Sequence, residues 1–124
     1  MIDVRDLIGK PYGTHGRGPV TYDCYGLAIE VCKRFGKELP DAFYESTSPE
    51  INGNLIGRAK PLLNASCIDE PVPGAVVVVM TGSNPVHIGV CLNSKDFIHC
   101  GKYGVKIERL TAWKRRIEGF YTWQ

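Results

Sequence analysis

Asp23-Cys24-Tyr25-Gly26-Leu27 opens an apolar stretch of helical period, and this junction constrains the fold more than any other part of the chain. Leu27, Ala28, Val31, Cys32 and Phe35 recur at the spacing of one helix face. Asp23 is a residue type that caps helix starts, and Gly36 follows the last periodic position as a stop. The spacing predicts a helix over 24–35 with a thiol in its first turn. A thiol attacks as its thiolate, and the unpaired N–H groups and dipole of a helix start favour negative charge there. Gly26 leaves space beside that thiol. It would serve either a substrate backbone passing close or packing against a neighbouring strand, and the sequence leaves both open.

A thiolate catalyst needs a group that takes and returns a proton, and the chain offers His15, His87 and His99. Residues 75–80 and 86–92 are β-branched runs separated by Gly82-Ser83-Asn84-Pro85, and 97–100 is a third short apolar segment. They predict adjacent antiparallel strands. Alternation places His87, Gly89 and Cys91 on one face, Ile88, Val90 and Leu92 on the other, and His99 on the neighbouring strand with Phe97. A hairpin would bring His87 and His99 together. His87 is then the candidate base and His99 its orienter, because a neutral second imidazole can accept an N–H, though less strongly than a carboxylate.

The chain has 124 residues, 44% hydrophobic and 23% charged, which suits one soluble globular domain over 1–124. A net charge of +2 is too balanced for a nucleic-acid partner, and Lys114-Arg115-Arg116 reads as a solvated helix end. The first residues lack the layout of a signal peptide, and the longest apolar run, 75–80, is too short to span a bilayer. No membrane partner is expected, and the chain is expected to stay in the cytoplasm until assembly or lysis. An odd count of five cysteines without secretion favours free thiols. Cys32, Cys67, Cys91 and Cys100 are read as buried small apolar residues or bystanders. His87, Cys91, His99 and Cys100 carry zinc-ligand chemistry, but His99 and Cys100 are adjacent on a strand and point to opposite faces. No metal or other cofactor is expected.

Taken in order, Gly9-Lys10-Pro11-Tyr12-Gly13, Tyr22-Asp23-Cys24-Tyr25-Gly26-Leu27, Pro73-Gly74, His87-Ile88-Gly89-Val90 and Phe97-Ile98-His99 form a series over nearly the whole chain. In order and spacing it resembles the NlpC-type cysteine peptidases that cut bacterial cell-wall peptides. Asp-Cys-x-Gly alone is a weak signal, whereas the full series in one domain-sized chain is specific. The resemblance implies an α+β papain-like fold, with an antiparallel sheet packed on the helix that bears the nucleophile. It makes Cys24 the nucleophile, His87 the base and His99 the third polar residue. It also places Tyr12 beside the thiol, where its hydroxyl and the Cys24 N–H would hold the oxyanion. Taken alone, Tyr12 also reads as a loop tyrosine covering the core, and the motif context favours the role in the site.

The implied substrate is a peptidoglycan stem peptide, cut between D-glutamate and the diamino acid. A mildly positive chain would be drawn to an anionic wall. Gly36-Lys37-Glu38-Leu39-Pro40-Asp41, Tyr25 where secreted relatives carry serine, and the strand Ile117-Glu118-Gly119-Phe120-Tyr121 are similar to phage tail-tip peptidase domains. That likeness implies other tail proteins as partners. Gly74-Ala75 departs from the family's frequent Gly-Asp, and Tyr25 reshapes the acyl pocket. Two rivals share these residues: a structural tail protein that has lost activity, and an amidase or acyltransferase using the same Cys/His site. Retention of Cys24, His87, His99 and Tyr12 favours activity. Residues 41–71 read as a loop with a helix near 49–59 that would wall the substrate groove. In the 13–18 loop, Arg17 reads as a solvated arginine in preference to a partner for a stem-peptide carboxylate, and His15 as a surface histidine.

Overall fold

The computed structural model describes residues 2–41, 65–81 and 84–123. Helix α1 (Cys24–Arg34) begins where Asp23, in an extended conformation, accepts the Gly26 N–H at 2.6 Å. That bond satisfies one of the donors every helix start leaves unpaired. The helix ends one residue earlier than its periodicity predicts, with Phe35 as the C-cap. Lys33 and Arg34 occupy the last turn, where the helix dipole favours positive charge. Leu27, Ala28, Val31 and Cys32 are fully buried, the stripe that the spacing predicts.

Six strands form one sheet: β1 (Ser66–Ile68), β2 (Val76–Thr81), β3 (Asn84–Cys91), β4 (Asp96–Gly101), β5 (Gly104–Arg109) and β6 (Ile117–Thr122). Their spatial order is β1-β6-β2-β3-β4-β5, and every pairing is antiparallel. The three strands predicted from β-branched runs are β2, β3 and β4. Two strands were not legible. Ser66-Cys67-Ile68, read as loop, is too short to show alternation and is a strand through its pairing with β6. Gly-Val-Lys-Ile-Glu-Arg over β5 is half charged and sits at the sheet edge, so its polar residues mask it. A 3-10 helix, Leu110–Arg116, joins β5 to β6, and Lys114, Arg115 and Arg116 form its exposed last turn. The helix anticipated near 49–59 lies outside the described residues. Among the described residues no helix is long and apolar enough to cross a membrane.

Alternation sorts the sheet into two apolar faces. Val76, Val78, Ile88, Val90, Ile98 and Cys100 pack with α1. On the other face Ala75, Val77, Val79, Cys91 and Phe97 pack with Leu110 and Trp113 of the 3-10 helix. Each fully buried valine or isoleucine contributes about 1.5–3 kcal/mol, so a one-residue slip of register, which exchanges the faces, is strongly disfavoured. The register therefore directs Ile88 toward the thiol-bearing helix and His87 toward Trp113.

Candidate active site

Cys24 is the first residue of α1 and is half-buried. The main-chain N–H groups of Ile88 and Tyr25 lie near its sulfur and favour the thiolate. Burial acts the other way and is the larger effect. With the Asp23 and Cys100 side chains also opposing negative charge, the thiol is pushed up to about 11. The activation expected from the helix start is thus outweighed at rest, and the thiol is protonated near neutral pH. Cys100 donates to the Tyr22 carbonyl at 3.2 Å from the helix-packed face.

Tyr12 is held beside this thiol by a short bridge to Tyr22. The Tyr22 N–H donates to the Pro11 carbonyl and the Gly13 N–H to the Tyr22 carbonyl, each at 3.1 Å. Its ring is substantially exposed rather than a lid on the core. Its hydroxyl is raised by burial first and by nearness to Cys24 second.

The two histidines meet as the hairpin predicts: His87 Nε2 lies 2.8 Å from His99 Nδ1, with the rings edge to face. Gly89 makes this possible. A Cβ there would lie 2.8 Å from both the Ile98 carbonyl oxygen and the Phe97 ring, and 3.1 Å from the His99 Cβ. Without that side chain, Phe97 and His99 lean over β3 and stack at 4.7 Å. Burial holds His87 down to about 4, with His99 the second cause. The imidazole is therefore neutral at pH 7 and can take a proton. His99 is also lowered by burial, against the pull of Glu108.

Glu108 and Trp113 complete the cluster, and the sequence reading missed both. His99 Nε2 lies 3.0 Å from Glu108 Oε2, and the same oxygen accepts the Trp113 indole N–H. Trp113 meets His99 edge-on at 5.2 Å and lies over His87 at 6.2 Å. Had β5 been recognised, alternation would have placed Lys106 and Glu108 on the face of His99, since His99 pairs with Lys106 and Phe97 with Glu108.

Among the described residues no hydrogen bond joins the Cys24 sulfur to an imidazole. The sulfur meets β3 at the Ile88 amide, one residue beyond His87. A neutral thiol thus faces a strand that carries a neutral base. Such contacts are often long without substrate and tighten in the substrate complex.

The surrounding loop settles three open readings. Gly26 is buried, and a Cβ there would collide with the Gly16 carbonyl oxygen, so its role is packing, against the 13–18 loop rather than a strand. Arg17 is not a solvated arginine: Nη1 donates to Asp23 at 2.9 Å and Nε to Asp41 at 3.1 Å, tying the loop to the helix cap. His15 is half-buried with φ of 59° rather than a surface side chain. Cys32, Cys91 and Cys100 are buried, Cys67 is exposed, and His99 and Cys100 face opposite sides of the sheet.

The sequence profile of the NlpC/P60 family matches residues 9–121. The chain belongs to the NlpC/P60 family. Curated relatives include the "Probable endopeptidase p60" of Listeria welshimeri, 30% identical over 97% of this chain and 21% of that protein. The protein of the same name from Listeria monocytogenes is 30% identical over 97% of this chain and 22% of its own length. The chain therefore spans about a fifth of the curated relatives it matches. Among solved structures, NlpC1 from Trichomonas vaginalis superimposes with a TM-score of 0.64 at 22% identity, over 96% of this chain and 42% of that one. This NlpC/P60 chain thus has the α+β papain-like fold that its motifs imply.

Proposed function

We propose that this NlpC/P60 chain is a cysteine endopeptidase that hydrolyses peptide bonds of bacterial peptidoglycan stem peptides. The observation that carries the reading is a helix-initial thiol set against β3, the strand that carries His87, whose ring is hydrogen-bonded to the buried His99. Family membership and relatives named as endopeptidases support it.

In the proposed mechanism His87 takes the Cys24 proton as the sulfur attacks the scissile carbonyl. The Tyr12 hydroxyl and the Cys24 N–H stabilise the oxyanion. His87 then protonates the leaving amine, which departs as the acyl-enzyme forms. Water, losing its proton to His87, attacks that thioester and releases the acid and the thiol. His99 orients His87. Starting from a neutral thiol and a neutral imidazole, this is general-base activation on substrate binding rather than a standing ion pair. No cofactor takes part in these steps.

The finer reading is a phage or prophage tail component, held in the cytoplasm until assembly or lysis. Its support is that the 36–41 segment packs against Tyr25 and against the residues that follow the 117–121 segment. The Tyr25 hydroxyl donates to the Pro40 carbonyl at 2.7 Å, Lys37 Nζ to Thr122 Oγ1 at 2.9 Å, and the Trp123 indole to the Glu38 carbonyl at 2.9 Å.

The test is mass spectrometry of purified muropeptides incubated with the wild-type chain and with Cys24→Ala in parallel. Cleavage by the wild type alone is expected and names the bond. Intact muropeptides in both would overturn the peptidase reading in favour of a structural protein or an acyltransferase.

A further inference from the structure

Glu108 has no part in the mechanism above, yet it terminates the chain of hydrogen bonds that begins at His87. We infer that Glu108 is a positioning residue: by accepting the His99 Nε2 proton it fixes the direction of that chain, so that the bare, basic nitrogen of His87 is Nδ1. The inference rests on His87 being the catalytic base.

A neutral imidazole carries one N–H and one bare nitrogen, and its partners decide which is which. An ionised carboxylate only accepts. With Glu108 Oε2 at 3.0 Å, the proton of His99 sits on Nε2. His99 Nδ1 is then bare and accepts from His87 Nε2 at 2.8 Å. The proton of His87 is thereby fixed on Nε2, and Nδ1 is left to receive the Cys24 proton. Read the other way, with Glu108 donating, the chain would put a proton on His87 Nδ1 and leave no base.

The surroundings oppose that reversal. The Trp113 indole can only donate, and it does so to the same Glu108 oxygen, so two donors converge on one acceptor. Lys106, on β5 with Glu108, acts on both Glu108 and His99 as a nearby positive charge. From the 3-10 helix, Arg116 lies over the Trp113 ring at 4.8 Å. From β4 the neighbour is the uncharged Phe97 ring. When Nδ1 takes the thiol proton, His87 becomes an imidazolium without changing the direction of the chain. The Glu108 charge, one ring away, then favours it.

The test is long-range ¹H–¹⁵N NMR of the histidine ring nitrogens in the uniformly labelled full chain at pH 7, for wild type, Glu108→Ala and Glu108→Gln. The wild type is expected to show Nε2 protonated and Nδ1 bare in both rings. Glu108→Ala is expected to mix the tautomers, so that the two His87 nitrogen signals converge. Its kcat on muropeptides is expected to fall about tenfold or more with KM unchanged. Glu108→Gln, whose side-chain oxygen can still accept from both donors, is expected to keep the wild-type tautomers and lose less. A wild-type proton on His87 Nδ1 overturns the inference even if neither variant folds, as do unchanged ring signals in folded Glu108→Ala. The ring readout needs no turnover. An inactive protein with the expected tautomers would sink the peptidase reading alone, and an active one with the reversed chain would sink this inference alone.

Discussion

Replacing Asp23 tests how the loop, the helix start and the thiol are held as one unit. Its side chain is 2% exposed, accepts the Gly26 N–H at 2.6 Å and pairs with Arg17 at 2.9 Å. Losing an N-cap costs about 1–2 kcal/mol. A hydrogen bond to a charged partner contributes about 1.5–3 kcal/mol, and the lower end applies because Arg17 is partly exposed and keeps Asp41 and the Gly16 carbonyl. Asp23→Ala should therefore destabilise by about 3 kcal/mol. Asp23→Asn, which still offers the cap an oxygen, should lose only about 1–1.5 kcal/mol. Urea unfolding followed by circular dichroism reads both. With a slope of about 2 kcal/mol/M, the midpoint should fall by about 1.5 M for alanine and by under about 1 M for asparagine. Equal shifts for the two variants, or an alanine variant within about 0.5 kcal/mol of wild type at unchanged slope, would refute the reasoning.

Gly26→Ala should lower thermal stability despite the better helix propensity of alanine. Overpacking against the Gly16 carbonyl, which also accepts the Asp23 N–H at 3.1 Å, costs about 1–3 kcal/mol against a propensity gain of about 1; a higher melting temperature would show that the loop yields freely. Stability should fall in alkali, because Cys24 and Cys100 are raised to about 11 and Cys32 and Cys91 to about 12. The unfolded thiols ionise near pH 9 while the folded ones stay protonated, so stability is full below that pH and is lost as pH rises through 11–12. At pH 10, one unit above the unfolded value, each thiol has cost about 1.4 kcal/mol, so the four together give up to about 5 kcal/mol, and flat urea midpoints from pH 8 to 10 under reducing conditions would contradict the burial argument. In acid, the lowered His87 binds its proton less readily folded than unfolded, so stability should fall as pH drops from about 6.5 through 4.

The thiol-bearing helix, the three β-branched strands and the His87–His99 pair were legible because periodicity and alternation carry them directly. Strands β1 and β5 were not: one is three residues long and the other is half charged, and each is a strand by virtue of the neighbour it pairs with. That second failure hid Glu108, whose place beside His99 depends on β5 register alone. The charge state of Cys24 was misjudged for a related reason. A sequence shows that a thiol heads a helix, but how far burial strips that thiol of water is a property of packing. Arg17 was misread and Gly26 left open because both depend on the path of the 13–18 loop, which no pattern encodes.

Strand β6 lies between β1 and β2 although it follows every other strand in the chain. A ribosome delivers β2 well before the segment that covers it, so the nascent protein carries Val76–Thr81 with one edge open until 117–122 emerges. That stretch is a valine run of high β-propensity without charge, the composition of an aggregation-prone edge. Maturation of the sheet is therefore tied to synthesis of its last strand, and chains cut short before it should accumulate as insoluble material rather than as a weakened enzyme.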